Sequence, residues 1–216
     1  MYVVDSRTQD STRDVLEKHG MDFIEITPEF DRVEDIVWRI GENSDTTWLL
    51  RIDDDELPAC EMFEWIESTL SQLAASSVSF SRRWCMADAE GQLCYARAER
   101  YYWFSRRPDM LDPQPRLFRP ANAIWEREIH TAGFKADGPA FAPTSAYICH
   151  FDWVVRDLAS RLRKIRNYDA QRAGAGTFNA HFYLPECLDA TQIRLTRFET
   201  TQFNELMQEL LEFAQS

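Results

Sequence analysis

The chain has 216 residues, 44% of them hydrophobic and 13% aromatic, which suffices for one well-packed domain of ordinary size and excludes a disordered composition. Acidic residues outnumber basic ones, 36 to 24, for a formal charge of -12. That balance excludes a general affinity for nucleic acid, because phosphate backbones require clustered Lys and Arg. The five cysteines, Cys60, Cys85, Cys94, Cys149 and Cys187, are odd in number and form no Cys-x-x-Cys pair, so free thiols are expected rather than a zinc knuckle or a disulfide framework.

Tyr2, Val3 and Val4 are β-formers and predict a first strand, closed at once by Asp5-Ser6. A helix follows from Ser11 to His19 and stops at Gly20; Met21 to Ile26 reads as a second strand. Asp31 and Glu34 form a capping box ahead of Val33, Ile36, Val37 and Ile40, four apolar residues at helical spacing. Thr47 to Ile52 reads as a third strand, and Phe63, Ile66, Leu70 and Leu73 mark a helix after Pro58. Strand and helix thus alternate three times, which predicts parallel strands with helices on the sheet faces.

The middle of the chain reads differently. Val78, Phe80, Arg82, Trp84 and Met86 alternate with period two, as a half-exposed strand does. Further short strands are expected around Leu93 to Trp103, Arg116 to Arg119 and Tyr147 to His150, adding antiparallel or mixed strands to the same sheet. Val154, Leu158, Leu162 and Ile165 then predict one longer helix with a solvated basic face of Arg161, Arg163, Lys164 and Arg166. Ala173 to Thr177 reads as a loop, and Phe203, Leu206, Leu210 and Phe213 as a terminal helix. No apolar run approaches the roughly 20 residues of a membrane span, and the first residues lack the regions of a signal peptide, so the expectation is a cytoplasmic protein.

The chemistry concentrates at Asp53-Asp54-Asp55-Glu56, which directly follows the third strand. Four bare carboxylates in a row repel one another; a hard divalent cation removes that repulsion and takes carboxylate oxygens as ligands. Ligands of open α/β sheets bind beyond the carboxyl ends of the strands, where this run is expected to lie. Alternation would point Asp53 and Asp55 one way and Asp54 the other. The bland alternative is a solvated acidic turn at the positive end of the next helix. Asp5, at another strand end, suits a hydrogen bond to a base or ribose, or a plain helix cap. His150 closes the strand Tyr147 to His150 and is a candidate to complete a metal site begun by Asp55, although a lone histidine is more often structural. Arg116 and Arg119 suit a diphosphate clamp, or an ordinary salt bridge. Neither common Gly-rich phosphate loop nor a Gly-x-Ser-x-Gly elbow is present, which disfavours nucleotide hydrolases, dinucleotide enzymes and esterases.

Together these segments resemble the family 2 glycosyltransferases, especially the bacterial branch near the lipopolysaccharide core glucosyltransferases. Val3 to Thr12 looks like the family's Val-Val-Asp-Ser-Gly-Ser-Thr-Asp-Gly-Thr, and Trp48 to Pro58 like its Trp-x-Leu-x-x-Asp-x-Asp-Glu segment. Pro115 to Arg119 resembles its Arg-Leu-Phe-Arg strand, while Ile129-His130 and Cys149-His150-Phe151 resemble two later histidine positions. The second of these precedes a helix carrying Lys164 and Tyr168. The resemblance covers roughly residues 1 to 170. It implies an α/β fold: a single-domain sandwich of the GT-A, or nucleotide-diphosphosugar transferase, type with a mixed central sheet. Residues 171–216 would form a loop and helical extension.

The implied reaction moves a sugar from a nucleotide-sugar donor to an acceptor hydroxyl on a carbohydrate or glycan. By position, Asp5 would contact the nucleoside, while Asp53 and Asp55 would hold ribose, diphosphate and a divalent metal (Mn2+ or Mg2+). Asp55 would be the metal ligand, with Arg116 and His150 in support. The sequence departs from the family in three places. The family's earlier strand, with its Pro-x-x-Asn-Glu loop, has no counterpart, so an N-terminal truncation is expected. Arg7 and Ser11 replace glycines of the first loop. Thr131 stands where the family has a Glu base, leaving Glu128 or Asp109 as candidate catalytic bases. Two alternatives stay open: a non-catalytic metal and nucleotide-sugar-binding domain of the same fold, and a nucleotidyltransferase-like enzyme.

Overall fold

The structure, a computed structural model, describes residues 3–5, 11–21, 23–25, 33–98, 112–126, 132–187 and 193–198. In chain order the first elements are β1 (Val3–Asp5), α1 (Thr12–Lys18), β2 (Phe23–Glu25) and α2 (Val33–Glu42). Gly20, with φ +61, ends α1 in the left-handed backbone that glycine adopts without strain. β1 and β2 pair in parallel, Val3 opposite Phe23. Asp31 of the expected capping box and the expected terminal helix lie outside the described residues.

There follow β3 (Leu49–Leu50), β4 (Glu56–Pro58), α3 (Cys60–Thr69), β5 (Ser77–Ala87), β6 (Leu93–Ala98) and β7 (Gln114–Phe118). The later elements are β8 (Ile124–Trp125), β9 (Phe134–Lys135), β10 (Ala140–Phe141), β11 (Tyr147–His150), α4 (Asp152–Val155), α5 (Leu158–Gln171), α6 (Ala175–Phe178), α7 (Ala180–Tyr183) and β12 (Ile193–Arg197). The fold is mixed α/β, built on a curled mixed sheet of eight strands among the described residues.

β5 is the spine of that sheet. Its first half pairs antiparallel with β7 and parallel with β10; its second half pairs antiparallel with β6 and parallel with β11. β12 extends one edge through β6, and β4 extends the other antiparallel to β11. β5 is paired on both edges and, over most of its length, covered on both faces: Val78, Phe80 and Trp84 are buried on one, and Ser77, Ser79 and Ser81 on the other. The half-exposed strand expected from the alternation is therefore corrected to a central one. Val78 and Phe80 pack with Met62, Leu117 and Ile148 on one face. Cys85 packs with Leu93, Tyr147 and Cys149 on the other. Cys60, Cys85, Cys94 and Cys149 are free thiols.

Three expectations change near the site. The strand foreseen over Thr47 to Ile52 shortens to β3 and pairs antiparallel with β7, Leu49 opposite Phe118, rather than joining a parallel ladder. The single long helix splits into α4 and α5, because the Asp157 carboxylate accepts from Ser160 N at 2.7 Å and starts a new helix. The loop foreseen at Ala173 to Thr177 begins α6, where Asp169 accepts from the amides of Gly176 and Thr177. The expected domain boundary at residue 170 falls inside α5, and β12, beyond it, joins the central sheet.

Candidate functional site

The β4–β11–β5 register lines up Glu56, His150 and Trp84 across three strands. Directly opposite residues share a sheet face, so one face carries a carboxylate, an imidazole and an indole in a row. The acidic run enters β4 through a turn in which Glu56 N donates to Asp53 O at 3.0 Å. Phe151 N donates to Asp55 O at 2.8 Å and ties that turn to the end of β11.

Asp53 and Glu56 face a buried arginine. Arg116 Nη2 lies 2.6 Å from Asp53 Oδ2 and 2.5 Å from Glu56 Oε1. Arg51 Nη2 adds a second cation to Asp53 at 3.0 Å. Arg82 lies 3.5 Å from Glu56 and 2.7 Å from Asp112, which also accepts from Trp84 Nε1 at 2.8 Å. The result is a chain of alternating charge, Asp53, Arg116, Glu56, Arg82, Asp112. Burial pushes the Asp53 carboxyl up, but Arg116 and then Arg51 outweigh it and hold it below its ordinary value.

Asp55 belongs to a second group. Its Oδ1 lies 3.4 Å from His150 Nε2, its Oδ2 is ion-paired with Arg156, and Lys164 Nζ stands 3.9 Å away. Burial raises the Asp55 carboxyl; the hydrogen bond and charge of His150, then Arg156 and Lys164, overturn that and hold it far below the usual carboxylate range. Both cations also hold Asp152, Lys164 at 2.7 Å. Asp152 is fully buried. Its Oδ2 and His150 Nδ1 have no hydrogen-bond partner among the described residues. Asp54 turns outward, 88% exposed, with Arg156 at 3.7 Å. An open cavity of ≈ 390 Å³ adjoins this group, lined by Arg156, Ser160, Arg163, Lys164, Asn167 and Tyr168.

The structure thus brings Asp53, Asp55, Arg116 and His150 to one end of the sheet. Asp53 and Asp55 both turn inward and Asp54 outward, but they do so from a turn and address different cations. Arg116, read as a diphosphate clamp, is buried against Asp53 and Glu56. Asp5 ends β1, with its side chain outside the description, and Asp109, Glu128 and His130 lie outside the described residues. The repulsion within the acidic run is relieved in this structure by the chain's own arginines and lysine. Sequence reasoning missed Arg156, Asp152, Arg82 and Asp112. The signal for the first two is the spacing of Asp152 and Arg156, four apart just after His150, which forms an ion pair along α4. Arg161 and Lys164, assigned to a solvated face, are engaged instead: Arg161 is buried and paired with Glu186.

Among the described residues no helix is long and apolar enough to cross a membrane. The chain matches no family model and none of the curated proteins with which it was compared.

Proposed function

We propose that the chain is a glycosyltransferase of family 2 type and GT-A architecture, moving a sugar from a nucleotide-diphosphate donor to the hydroxyl of a carbohydrate acceptor. The observation that carries the reading is the meeting of Asp55 and His150 at 3.4 Å, flanked by Arg156 and Lys164, at the ends of β11 and the acidic turn. It sets one carboxylate oxygen and one imidazole nitrogen side by side, next to cations suited to phosphate oxygens. The order of Asp5, Asp53, Asp55, Arg116 and His150 along the chain supports the same family.

The donor set fits a divalent ion shared with substrate. Among the described residues no group of three or more His, Cys, Asp or Glu gathers to cage a metal. Asp55 offers a carboxylate, with the His150 imidazole beside it, and Mg2+-type ions are commonly held by one or two carboxylates plus substrate phosphates. The chemistry such an ion supplies when bound is neutralisation of charge on the departing diphosphate. The chain's own residues do the rest. Asp55 and His150 fix the position of that charge, Arg156 and Lys164 add positive charge around it, and Asp53, held by Arg116, faces the same end of the sheet for the sugar or ribose.

A second reading, a non-catalytic nucleotide-sugar-binding domain, is favoured by one observation. Asp53, Asp55 and Glu56 are each ion-paired with a cation of the chain, so none is poised as a base for an acceptor hydroxyl. Nucleotide-sugar titration with and without Mn2+ is the test. Asp55→Ala is expected to abolish the metal-dependent part of donor binding; equal binding by the variant and wild type would sink the proposal. Donor hydrolysis or transfer assayed on the same samples separates the enzyme from the binder.

A further inference from the structure

The face of the sheet turned away from Glu56, His150 and Trp84 carries a different chemistry. One step along each strand, the register sets Leu57 opposite Cys149 and Cys149 opposite Arg83. Beyond the pair of Trp84 and Ala96, β5 and β6 run on to Arg83 and Arg97, and Arg97 stands directly opposite Arg194 of β12. The register thus sets three arginines in one row across β5, β6 and β12. Like charges directly opposite one another in a sheet are unfavourable, and an anion laid across them removes that cost. The row stands in a chain of formal charge -12.

Arg83 is half-buried and held by aromatic rings. The carbon of its guanidinium lies 3.4 Å from the ring centre of Tyr147, 4.7 Å from that of Tyr95 and 5.7 Å from that of Phe198. Such contacts use the faces of the guanidinium and leave its N–H edges for hydrogen bonds. Arg51, Arg82, Arg116, Arg156, Arg161 and Arg197 each pair with a carboxylate. Arg83 and Arg194 pair with none among the described residues. The buried side-chain nitrogens and oxygens without a partner do not include those of Arg83, which therefore keep contact with solvent. Arg194 is exposed. The rings already fix the Arg83 side chain, so a ligand meets it without the usual loss of rotamer freedom.

We propose that this face docks an acidic segment of a partner protein, whose carboxylates take the N–H edges of Arg83 and the guanidinium of Arg194. Two strand spacings, about 10 Å, separate the ends of the row. A single small anion cannot reach both ends, whereas two acidic side chains about three residues apart on an extended segment do. A guanidinium and a carboxylate match in charge and in their two-pronged geometry. The net charge of the chain repels a long polyanion, which favours a short acidic segment over nucleic acid. Docking here uses the face opposite the row of Glu56, His150 and Trp84, so it stands or falls apart from the glycosyltransferase reading.

The test is fluorescence anisotropy of a dye-labelled Gly-Ser peptide with Glu at every third position, titrated with the full chain at fixed low salt. The same peptide with Gln in place of Glu is the blank. Wild type is expected to bind the Glu peptide about tenfold or more tighter than the Gln peptide. Arg83→Gln is expected to weaken binding about tenfold, and Arg83→Lys to recover part of the loss, since Lys keeps the charge without the planar fork. Arg194→Gln is expected to weaken binding about threefold, as an exposed charge pair implies. Arg166→Gln, at an exposed position of α5, is expected to bind as wild type does. Equal binding of the two peptides overturns the proposal, as does wild-type binding by Arg83→Gln or Arg194→Gln, or an equal loss in Arg166→Gln. Arg194 is exposed, so its variant keeps the test decisive should Arg83→Gln fail to fold. Two further arms are a single-stranded oligonucleotide of matched charge and vesicles containing an anionic phospholipid. Tighter binding of either, lost in Arg83→Gln, would reassign the face to phosphate and overturn the acidic-segment reading.

Discussion

Arg116 joins the two acids that begin and end the acidic run, Asp53 and Glu56, from a position almost out of contact with solvent. Removing one partner of a buried pair leaves an uncompensated charge, so Arg116→Ala is expected to cost about 3–5 kcal/mol of stability in urea denaturation. A loss below about 1 kcal/mol would mean that the group behaves as a surface pair does. The acids themselves set an acid limit. Asp53 and Asp55 are both held below their ordinary value in the folded chain. Their contribution is therefore complete above the unfolded carboxylate value of about 4 and is lost as pH falls further, when the unfolded chain takes up protons first. Urea midpoints measured from neutral pH downward are expected to drop below about pH 4, and to drop less steeply in Asp55→Asn. Identical slopes for the two proteins would exclude Asp55 as a source of the dependence.

At the scale of elements, the junction of α4, α5 and α6 decides where the site cations stand. Asp157 caps α5 and thereby sets the break that points Arg156 back at Asp55. Asp157→Ala is expected to lower stability by about 1 kcal/mol in thermal or urea denaturation. Gly176 packs so closely on α5 that a Cβ there would overlap the Ile165 carbonyl oxygen. Since backbone cannot yield as a side-chain tip does, Gly176→Ala is expected to cost about 1–3 kcal/mol, measured the same way. This junction is also where the sequence was least legible. Val154, Leu158, Leu162 and Ile165 keep helical spacing straight across the break, so periodicity alone cannot reveal a cap between them. The strands sort by the same logic. β5 and β11 were readable because alternation and apolar runs are local properties. β3 was misread in extent and direction because its partner residues, Leu117 and Phe118, lie far along the chain. Asp55 and His150 were readable as strand-end residues; that Arg156 and Lys164 would neutralise the carboxylate depends on the α4–α5 break and was not.

For the molecule as a whole, β5 is the element to which most of the sheet is attached, and its amides are expected to be among the last to exchange in native-state hydrogen exchange. Faster exchange in β5 than in β6 would show that the sheet opens from its middle. The same strand limits how a chain of this kind can change in length. Val78 and Phe80 fill one core and Trp84 another, from a single unbroken run of eleven residues. An insertion or deletion of one residue between Phe80 and Trp84 would turn one of those two sets of side chains to the wrong face of the sheet. The turn after it, from Asp88 to Gln92, is exposed over most of its length and pivots on Gly91 at φ +76. Gains and losses of residues are therefore to be sought in that turn, and descendants that keep the row of Glu56, His150 and Trp84 must inherit β5 at its present length.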